Sequence, residues 1–113
     1  MKTFQEFQEF VNEVAMYKKT MPKEQWLTYG ALGCAGEGGE VAEKVKKLLR
    51  DNGGVMTETI RQSIIKELGD MQFYIAVVAE EINTTLEEVA TKCRTKLLAR
   101  KAAGTLQGSG DDR

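Results

Sequence analysis

The stretch that decides the fold is residues 60–82, which read IRQSIIKELGDMQFYIAVVAEEI. Its large apolar residues recur three or four positions apart, which is the spacing of one face of an α-helix. A helix with so continuous an apolar face buries it against other helices, so the segment predicts an all-α, bundle-like fold. The apolar face comprises Ile60, Ile64, Leu68, Met71, Ile75, Val78 and Ile82.

Two acidic residues, Glu67 and Asp70, lie three positions apart beside this apolar face. Residues 33–47, GCAGEGGEVAEKVKK, contain a second pair at the same spacing, Glu37 and Glu40. Residues at this spacing project from one face of a helix, so the two pairs can face each other across two helices. Four converging carboxylates repel one another unless a cation lies between them, and a site made only of oxygen ligands selects Mg²⁺ or Mn²⁺. We therefore predict that these four carboxylates hold magnesium.

Spacing alone is weak evidence for this site, because 17 of the 113 residues are acidic and the pattern recurs by chance. Glu6 and Glu9 share it, as do Glu40 and Glu43. The pair beside the apolar face stands out because, together with Tyr74, it forms a second stripe where a purely solvating acid is less expected. The alternative is that all of these acids are ordinary surface charge.

The composition excludes several classes of function. With 16 basic and 17 acidic residues, the formal net charge is −1, which gives no basic field for binding polymeric nucleic acid. The chain contains no histidine, which excludes Ser-His and Cys-His nucleophiles and histidine-ligated zinc. Any acid–base chemistry therefore falls to carboxylates.

A length of 113 residues suits one domain, which we expect to span residues 1–103. The glycine-rich tail at 104–113 is expected to be disordered. The apolar runs are short and the start MKTFQEFQEF has no export signal, so we expect no membrane association and a cytoplasmic location. Cys34 and Cys93 lack CxxC spacing, which favours two reduced thiols in the core over a disulfide.

Four helices are expected, and the first two lie in the N-terminal half. Thr3 and Glu6 form a capping box that opens the first helix, which should continue to about Lys19. Pro22 suits the first turn of the second helix, which should end near Arg50.

The third helix should begin after Thr57 and run to about Ile82, with Asn83 as its terminator. Thr84 and Thr85 each precede a glutamate by three positions, so a capping box should open the fourth helix. The residues of the fourth helix expected to face inward are Leu86, Val89, Ala90, Cys93 and Leu97.

Glycines are costly in a helix, at roughly 1 kcal/mol each relative to alanine, and the second helix contains five. Gly30, Gly33, Gly36 and Gly39 recur every three residues, which would let another backbone or a bulky ligand approach one side of the helix. Two shorter segments joined by a glycine loop are an alternative. A phosphate-binding P-loop is disfavoured, because the GK[ST] ending is missing and no strand-like segment precedes the glycines.

A cationic ridge is expected on the fourth helix, where Lys92, Lys96 and Arg100 step by four positions. Such a ridge can bind the anionic oxygens of a triphosphate. The alternative is a solvated face whose charges suit the C-terminal end of a helix.

The acidic pairs resemble those of the MazG-like all-α nucleoside triphosphate pyrophosphohydrolases, whose motif is ExxE followed, after a variable gap, by ExxD. Residues 31–47, ALGCAGEGGEVAEKVKK, carry the first half of the resemblance. Residues 65–97, IKELGDMQFYIAVVAEEINTTLEEVATKCRTKL, carry the second half. The resemblance thus covers most of the chain.

The resemblance implies a four-helix-bundle-like fold completed by homo-oligomerisation, as a dimer or tetramer whose neighbouring subunit helps to close the nucleotide pocket. It implies Mg²⁺-dependent hydrolysis of nucleoside triphosphates, deoxynucleotides in particular, to the monophosphate and pyrophosphate, as in the cleansing of a nucleotide pool. Glu37 is our choice of catalytic base within the cluster.

Base and sugar contacts are expected from Trp26, Tyr29, Tyr74 and Asn83. Each has an ordinary alternative, since the aromatic residues can be core and an asparagine can end a helix. Two other functions stay open: phosphoribosyl-ATP pyrophosphohydrolysis by a related helical family, and a non-catalytic helical adaptor whose acids are surface charge.

Overall fold

The computed structural model describes residues 1–111, and helices are the only regular secondary structure in that part of the chain. The all-α prediction is confirmed. The helices are α1 (Phe4–Val14), α2 (Tyr17–Thr20), a 3₁₀ helix (Lys23–Gln25), α3 (Trp26–Asn52), α4 (Glu58–Glu81) and α5 (Leu86–Ala103).

Threonine side chains begin three of the helices, as the sequence predicts. The Oγ1 atom of Thr3 accepts a hydrogen bond from the backbone N–H of Glu6, whose side chain bonds back to complete the capping box of α1. Thr57 caps α4, and Thr85 is the one of the two candidate threonines that caps α5. These bonds satisfy backbone donors that a helix start otherwise leaves unpaired.

The first predicted helix is wrong in its extent, because it breaks after Val14. Ala15 adopts an extended backbone, with φ −66° and ψ 132°, and the chain then forms the single turn α2. Because of this break, the side chain of Tyr17 points into the core, where it is 4% exposed. Its hydroxyl donates a hydrogen bond to Glu81 Oε2 at 2.6 Å. Tertiary packing thus overrides the helical periodicity at this point.

Helix α3 is continuous, so the alternative of two segments joined by a glycine loop is wrong. A Cβ atom at Gly33 would overlap the ring of Tyr74, and one at Gly30 would lie 2.9 Å from Val77 Cγ1. The two glycines therefore let α4 pack close against α3. The other two glycines of the predicted face, Gly36 and Gly39, have open space where a Cβ would lie, so the close approach does not extend to them.

The buried core lies at the end of the bundle where α1, α2, the start of α3 and the second half of α4 meet. The loop after α4 joins it through Gln8, whose amide donates to Thr84 O at 3.1 Å and accepts from the N–H of Leu86 at 3.2 Å. The buried apolar residues of this core are Val11, Tyr17, Ala76, Val77, Ala79 and Leu86.

Two burial predictions are wrong within the single chain. On α4, Leu68 and Ile82 remain 48% and 56% exposed, because no other helix in the described part of the chain covers them. On α5 only Leu86 of the five expected inward residues is buried, while Val89 and Cys93 are exposed. The remaining expected inward residues of α5, Ala90 and Leu97, are exposed as well.

The C-terminal segment does not continue α5, which ends at Gly104 with φ 72°. Residues 105–111 form no helix, yet they lie against α5 instead of apart from it, since Arg100 donates to the backbone oxygen of Asp111 at 2.7 Å. Nothing in residues 1–111 amounts to a helix that is both long and apolar enough to cross a membrane.

The close approach of α3 and α4 predicts opposite effects for two glycine substitutions. Gly33→Ala should destabilise the protein by about 1–3 kcal/mol, because the added methyl group displaces the Tyr74 ring. Gly36→Ala should stabilise it by up to about 1 kcal/mol, because alanine favours the helix and nothing obstructs the methyl group. Urea unfolding of both variants is the measurement, and equal effects at the two positions would contradict the packing described.

Candidate active site

Three carboxylates from two helices meet in the hairpin of α3 and α4. Glu37 comes from α3, and Glu67 and Asp70 come from α4; one oxygen of each lies within 4.8 Å of the others. Glu37 and Glu67 are half-buried and Asp70 is exposed, so solvent reaches the group from one side. We call these three residues the acidic cluster.

The register of the two helices explains why these side chains meet. Helices α3 and α4 are antiparallel, and the contact between Gly33 and Tyr74 fixes their alignment. Glu37 follows Gly33 by four residues on α3, and Asp70 precedes Tyr74 by four residues on α4. Because four residues make about one helical turn, the two acids lie opposite each other, one turn from the glycine contact. Glu67 follows on the same face as Asp70. The glycine contact therefore positions the acidic cluster.

Mutual repulsion is visible in the electrostatics of Glu37. Partial burial raises the pKa of this carboxyl above its ordinary value, and the negative charges of Asp70 and Glu67 raise it further. A hydrogen bond with Glu67 and the charge of Glu40 add to the same effect. The arrangement favours uptake of a proton or a cation. Lys44 supplies a weak counter-charge, with its Nζ atom 3.8 Å from Glu67 Oε1.

Glu40, the fourth predicted metal ligand, is exposed and lies outside the acidic cluster, although its charge helps to raise the pKa of Glu37. The structure thus brings together three of the four predicted ligands. Carboxylate oxygens are the ligands that Mg²⁺ and Mn²⁺ prefer, so the donor set fits such an ion.

An aromatic layer lies directly beside the acidic cluster. Tyr29 and Tyr74 bring their hydroxyl oxygens within 3.5 Å, and Tyr29 stacks on Tyr17 with ring centroids 5.7 Å apart. The hydrogen bond with Tyr29, followed by burial, raises the pKa of Tyr74 to about 12, and the charges of Glu37 and Asp70 contribute. Tyr74 therefore stays a neutral hydroxyl at the edge of the acidic cluster.

Trp26 belongs to the same layer but has a packing role. Its indole N–H donates to the backbone oxygen of Met21 at 3.0 Å, and its ring meets Tyr17 edge-on at 5.9 Å. Sequence reasoning missed Tyr17, the centre of this layer, because the residue sits where the first helix was expected to run on. No spacing in the sequence marks it.

Asn83 lies away from the acidic cluster, in the turn between α4 and α5. It lies thirteen positions after Asp70, which corresponds to about 20 Å along a helix axis. Its backbone is left-handed, with φ 58°, as is common for asparagine at a helix end. The structure gives it the role of a helix terminator.

The predicted cationic ridge occupies α5, and two of its members are engaged within the chain. Lys96 Nζ donates to Asp111 Oδ1 at 3.0 Å, and Arg100 Nη2 donates to the same oxygen at 3.3 Å. Lys92 is exposed. No hydrogen bond or ion pair found within residues 1–111 joins the ridge to the acidic cluster.

A cavity of about 480 Å³ lies on another side of α4, between α1 and α5. Phe4, Phe7, Ile75 and Leu86 are among the residues that line it, and no acidic residue does so. The cavity therefore belongs to a surface separate from the acidic cluster, and sequence reasoning did not find it.

Comparison with known proteins agrees with the geometry of the site. The MazG nucleotide pyrophosphohydrolase domain matches residues 30–104, which contain the acidic cluster and α5. The Gene 37 protein of Mycobacterium phage L5 is 45% identical over 87 residues, which cover 77% of this chain and 76% of the phage protein. Among solved structures there is no match. The chain belongs to the MazG nucleotide pyrophosphohydrolase family.

Proposed function

We propose that this protein hydrolyses nucleoside triphosphates, with deoxynucleotides as the preferred class, to the monophosphate and pyrophosphate. The observation that carries the proposal is the convergence of three carboxylates across α3 and α4 in a member of a nucleotide pyrophosphohydrolase family. The role we propose is the cleansing of a nucleotide pool. The two free thiols, Cys34 and Cys93, support a cytoplasmic setting, where cysteines stay reduced.

We propose Mg²⁺ as the cofactor, with Mn²⁺ able to substitute. Glu37, Glu67 and Asp70 would hold the ion, and Glu40, three residues after Glu37 on the same helix, would add a fourth carboxylate. A bound Mg²⁺ would neutralise phosphate charge and acidify an attacking water.

Glu37 is the residue we propose as general base. One of its carboxylate oxygens lies within 4.8 Å of an oxygen of Glu67 and of Asp70, so a base at this position would lie beside an ion that those two carboxylates hold. It would take the proton of the water whose oxygen attacks the α-phosphorus. The bond from that phosphorus to the bridging oxygen breaks, and pyrophosphate leaves with the bond's electron pair.

The substrate contacts we propose differ in their support. Tyr74 is best placed, because its ring adjoins both α3 and the acidic cluster, and Tyr29 lies behind it. Trp26 and Asn83 have structural roles that account for them, so their contact with the base or sugar rests on the resemblance alone. Lys92, Lys96 and Arg100 suit the phosphates by charge, but they lie on α5, outside the acidic cluster.

We also propose that the protein is a homodimer or homotetramer. Within residues 1–111, the outer half of the hairpin of α3 and α4 packs only on itself, and it leaves large apolar side chains in solvent. Such a surface is typical of one that a further helix pair covers. A second copy would bury it and would bring another subunit's residues toward the pocket. The most exposed apolar residues of this outer half are Leu49, Val55, Met56 and Leu68.

A nucleotide panel with pyrophosphate detection tests the proposed activity. Deoxynucleoside triphosphates with Mg²⁺ should yield monophosphate and pyrophosphate, and Glu67→Gln with Asp70→Asn should abolish the yield. The matched control is Glu6→Gln with Glu9→Gln, which removes the same charges at the same spacing on α1 and should leave turnover unchanged.

Three outcomes of this panel would contradict the proposal. Turnover of phosphoribosyl-ATP alone would indicate the related helical family. The absence of pyrophosphate release from every nucleotide would indicate a non-catalytic adaptor whose acids are surface charge. Equal losses in the two double variants would show that the acidic cluster is not the site.

The proposed association predicts a concentration-dependent change in mass. Sedimentation should show a dimer or larger species for the wild type, and Leu49→Lys should shift it toward the monomer, because a buried lysine lacks a partner. Met16→Lys, a comparable change at a side chain 58% exposed outside the hairpin, should not. A wild type that is monomeric at all concentrations would overturn the proposal.

A further inference from the structure

Arg100 is far more buried than a residue on an exposed cationic ridge should be. It is 5% exposed, because the C-terminal segment, residues 105–111, packs over it. Its Nη2 atom donates to the backbone oxygen of Asp111 at 2.7 Å and approaches that of Gly110 at 3.4 Å. The segment therefore folds back over the last turns of α5.

The Asp111 carboxylate completes this arrangement. One oxygen, Oδ1, accepts from both Lys96 Nζ at 3.0 Å and Arg100 Nη2 at 3.3 Å. A single anionic oxygen held between an ammonium and a guanidinium group is the contact that a phosphate oxygen also makes. Two of the three ridge residues are thus paired with an anion that belongs to the same chain.

We propose that residues 105–111 act as a built-in competitor for the cationic ridge, with Asp111 in the position that a phosphate group of an anionic ligand takes when it displaces the segment. The proposal rests on the proposed function in one respect, the assignment of Lys96 and Arg100 to the phosphates of a nucleotide. In the absence of a ligand, the segment blocks the phosphate subsite that Lys96 and Arg100 form.

The ion pairs that Asp111 makes are weak enough for a ligand to displace the segment. Asp111 is 81% exposed at its side chain, so solvent and salt screen its two ion pairs and each contributes little. Within residues 1–111, the Nε atom of Arg100 is buried without a hydrogen-bond partner. A polyphosphate offers more oxygens than one carboxylate and can engage donors that the segment leaves unused.

The short tether makes a weak contact effective. Asp111 lies eleven residues beyond Arg100 in the chain, so its local concentration at the ridge is in the millimolar range typical of short linkers. An anionic ligand must displace this tethered carboxylate. Its apparent affinity is therefore reduced in proportion to the fraction of molecules in which the segment has left the ridge. The segment would thus set a threshold concentration for ligand binding.

Calorimetric titration with inorganic tripolyphosphate tests the competition without relying on catalysis. The full-length Asp111→Asn variant should bind this probe about three- to fivefold more tightly than the wild type, because the competing charge is gone. The matched control is Asp51→Asn, which removes a carboxylate that pairs with Arg50 at 2.7 Å at the end of α3. Its affinity for the probe should equal that of the wild type.

Hydrogen exchange gives a second readout of the same displacement. Saturating tripolyphosphate should speed exchange of the backbone amides in residues 105–111 of the wild type, because the segment leaves α5. Unchanged exchange, or wild-type affinity in Asp111→Asn, would overturn the proposal, as would failure of every variant to bind the probe.

The two proposals fail in distinguishable ways. Tighter tripolyphosphate binding by Asp111→Asn in a protein that hydrolyses no nucleotide would preserve the competitor and remove the proposed activity. Nucleotide hydrolysis with wild-type tripolyphosphate affinity in Asp111→Asn would do the reverse.

Discussion

The contact between Gly33 and the ring of Tyr74 is the constraint on which the site depends. Only a residue without a side chain lets the ring lie against α3, and this contact fixes the register of α3 against α4. One turn along, the same register brings Glu37 opposite Asp70. The glycine-rich composition of α3, unfavourable for an isolated helix, is therefore what allows carboxylates from two helices to meet.

The two ends of the hairpin differ in what they contribute. At one end, Tyr17 and its aromatic neighbours bury the helices against one another, and the Tyr17 hydroxyl bonds to Glu81 at 2.6 Å. Midway along the hairpin, the two helices hold acids together, and toward the other end they leave apolar side chains such as Leu49 exposed. A stable core thus supports a region whose charges repel, a common arrangement in which function costs some stability.

Local signals in the sequence predicted where three of the helices begin, and three of the four acidic residues that the sequence singled out lie together. Thr57 and Thr85 begin helices because capping is a short-range interaction that spacing reveals. The break before Tyr17 could not be predicted, since it arises from packing against residues 60 or more positions away. The engagement of Arg100 by Asp111 was equally hidden, because the tail's composition predicts disorder and says nothing of a particular ion pair.

The central claim is that the acidic cluster is held in mutual repulsion by the fold and relieved by a cation. Thermal unfolding of the wild type and Asp70→Asn, each in EDTA and in Mg²⁺, tests it most directly, with Asp51→Asn as a charge-matched control. The claim predicts that Mg²⁺ raises the wild-type melting temperature, and that Asp70→Asn melts above the wild type in EDTA but gains less from Mg²⁺. A wild type indifferent to Mg²⁺, with Asp70→Asn no more stable than it in EDTA, would contradict the claim.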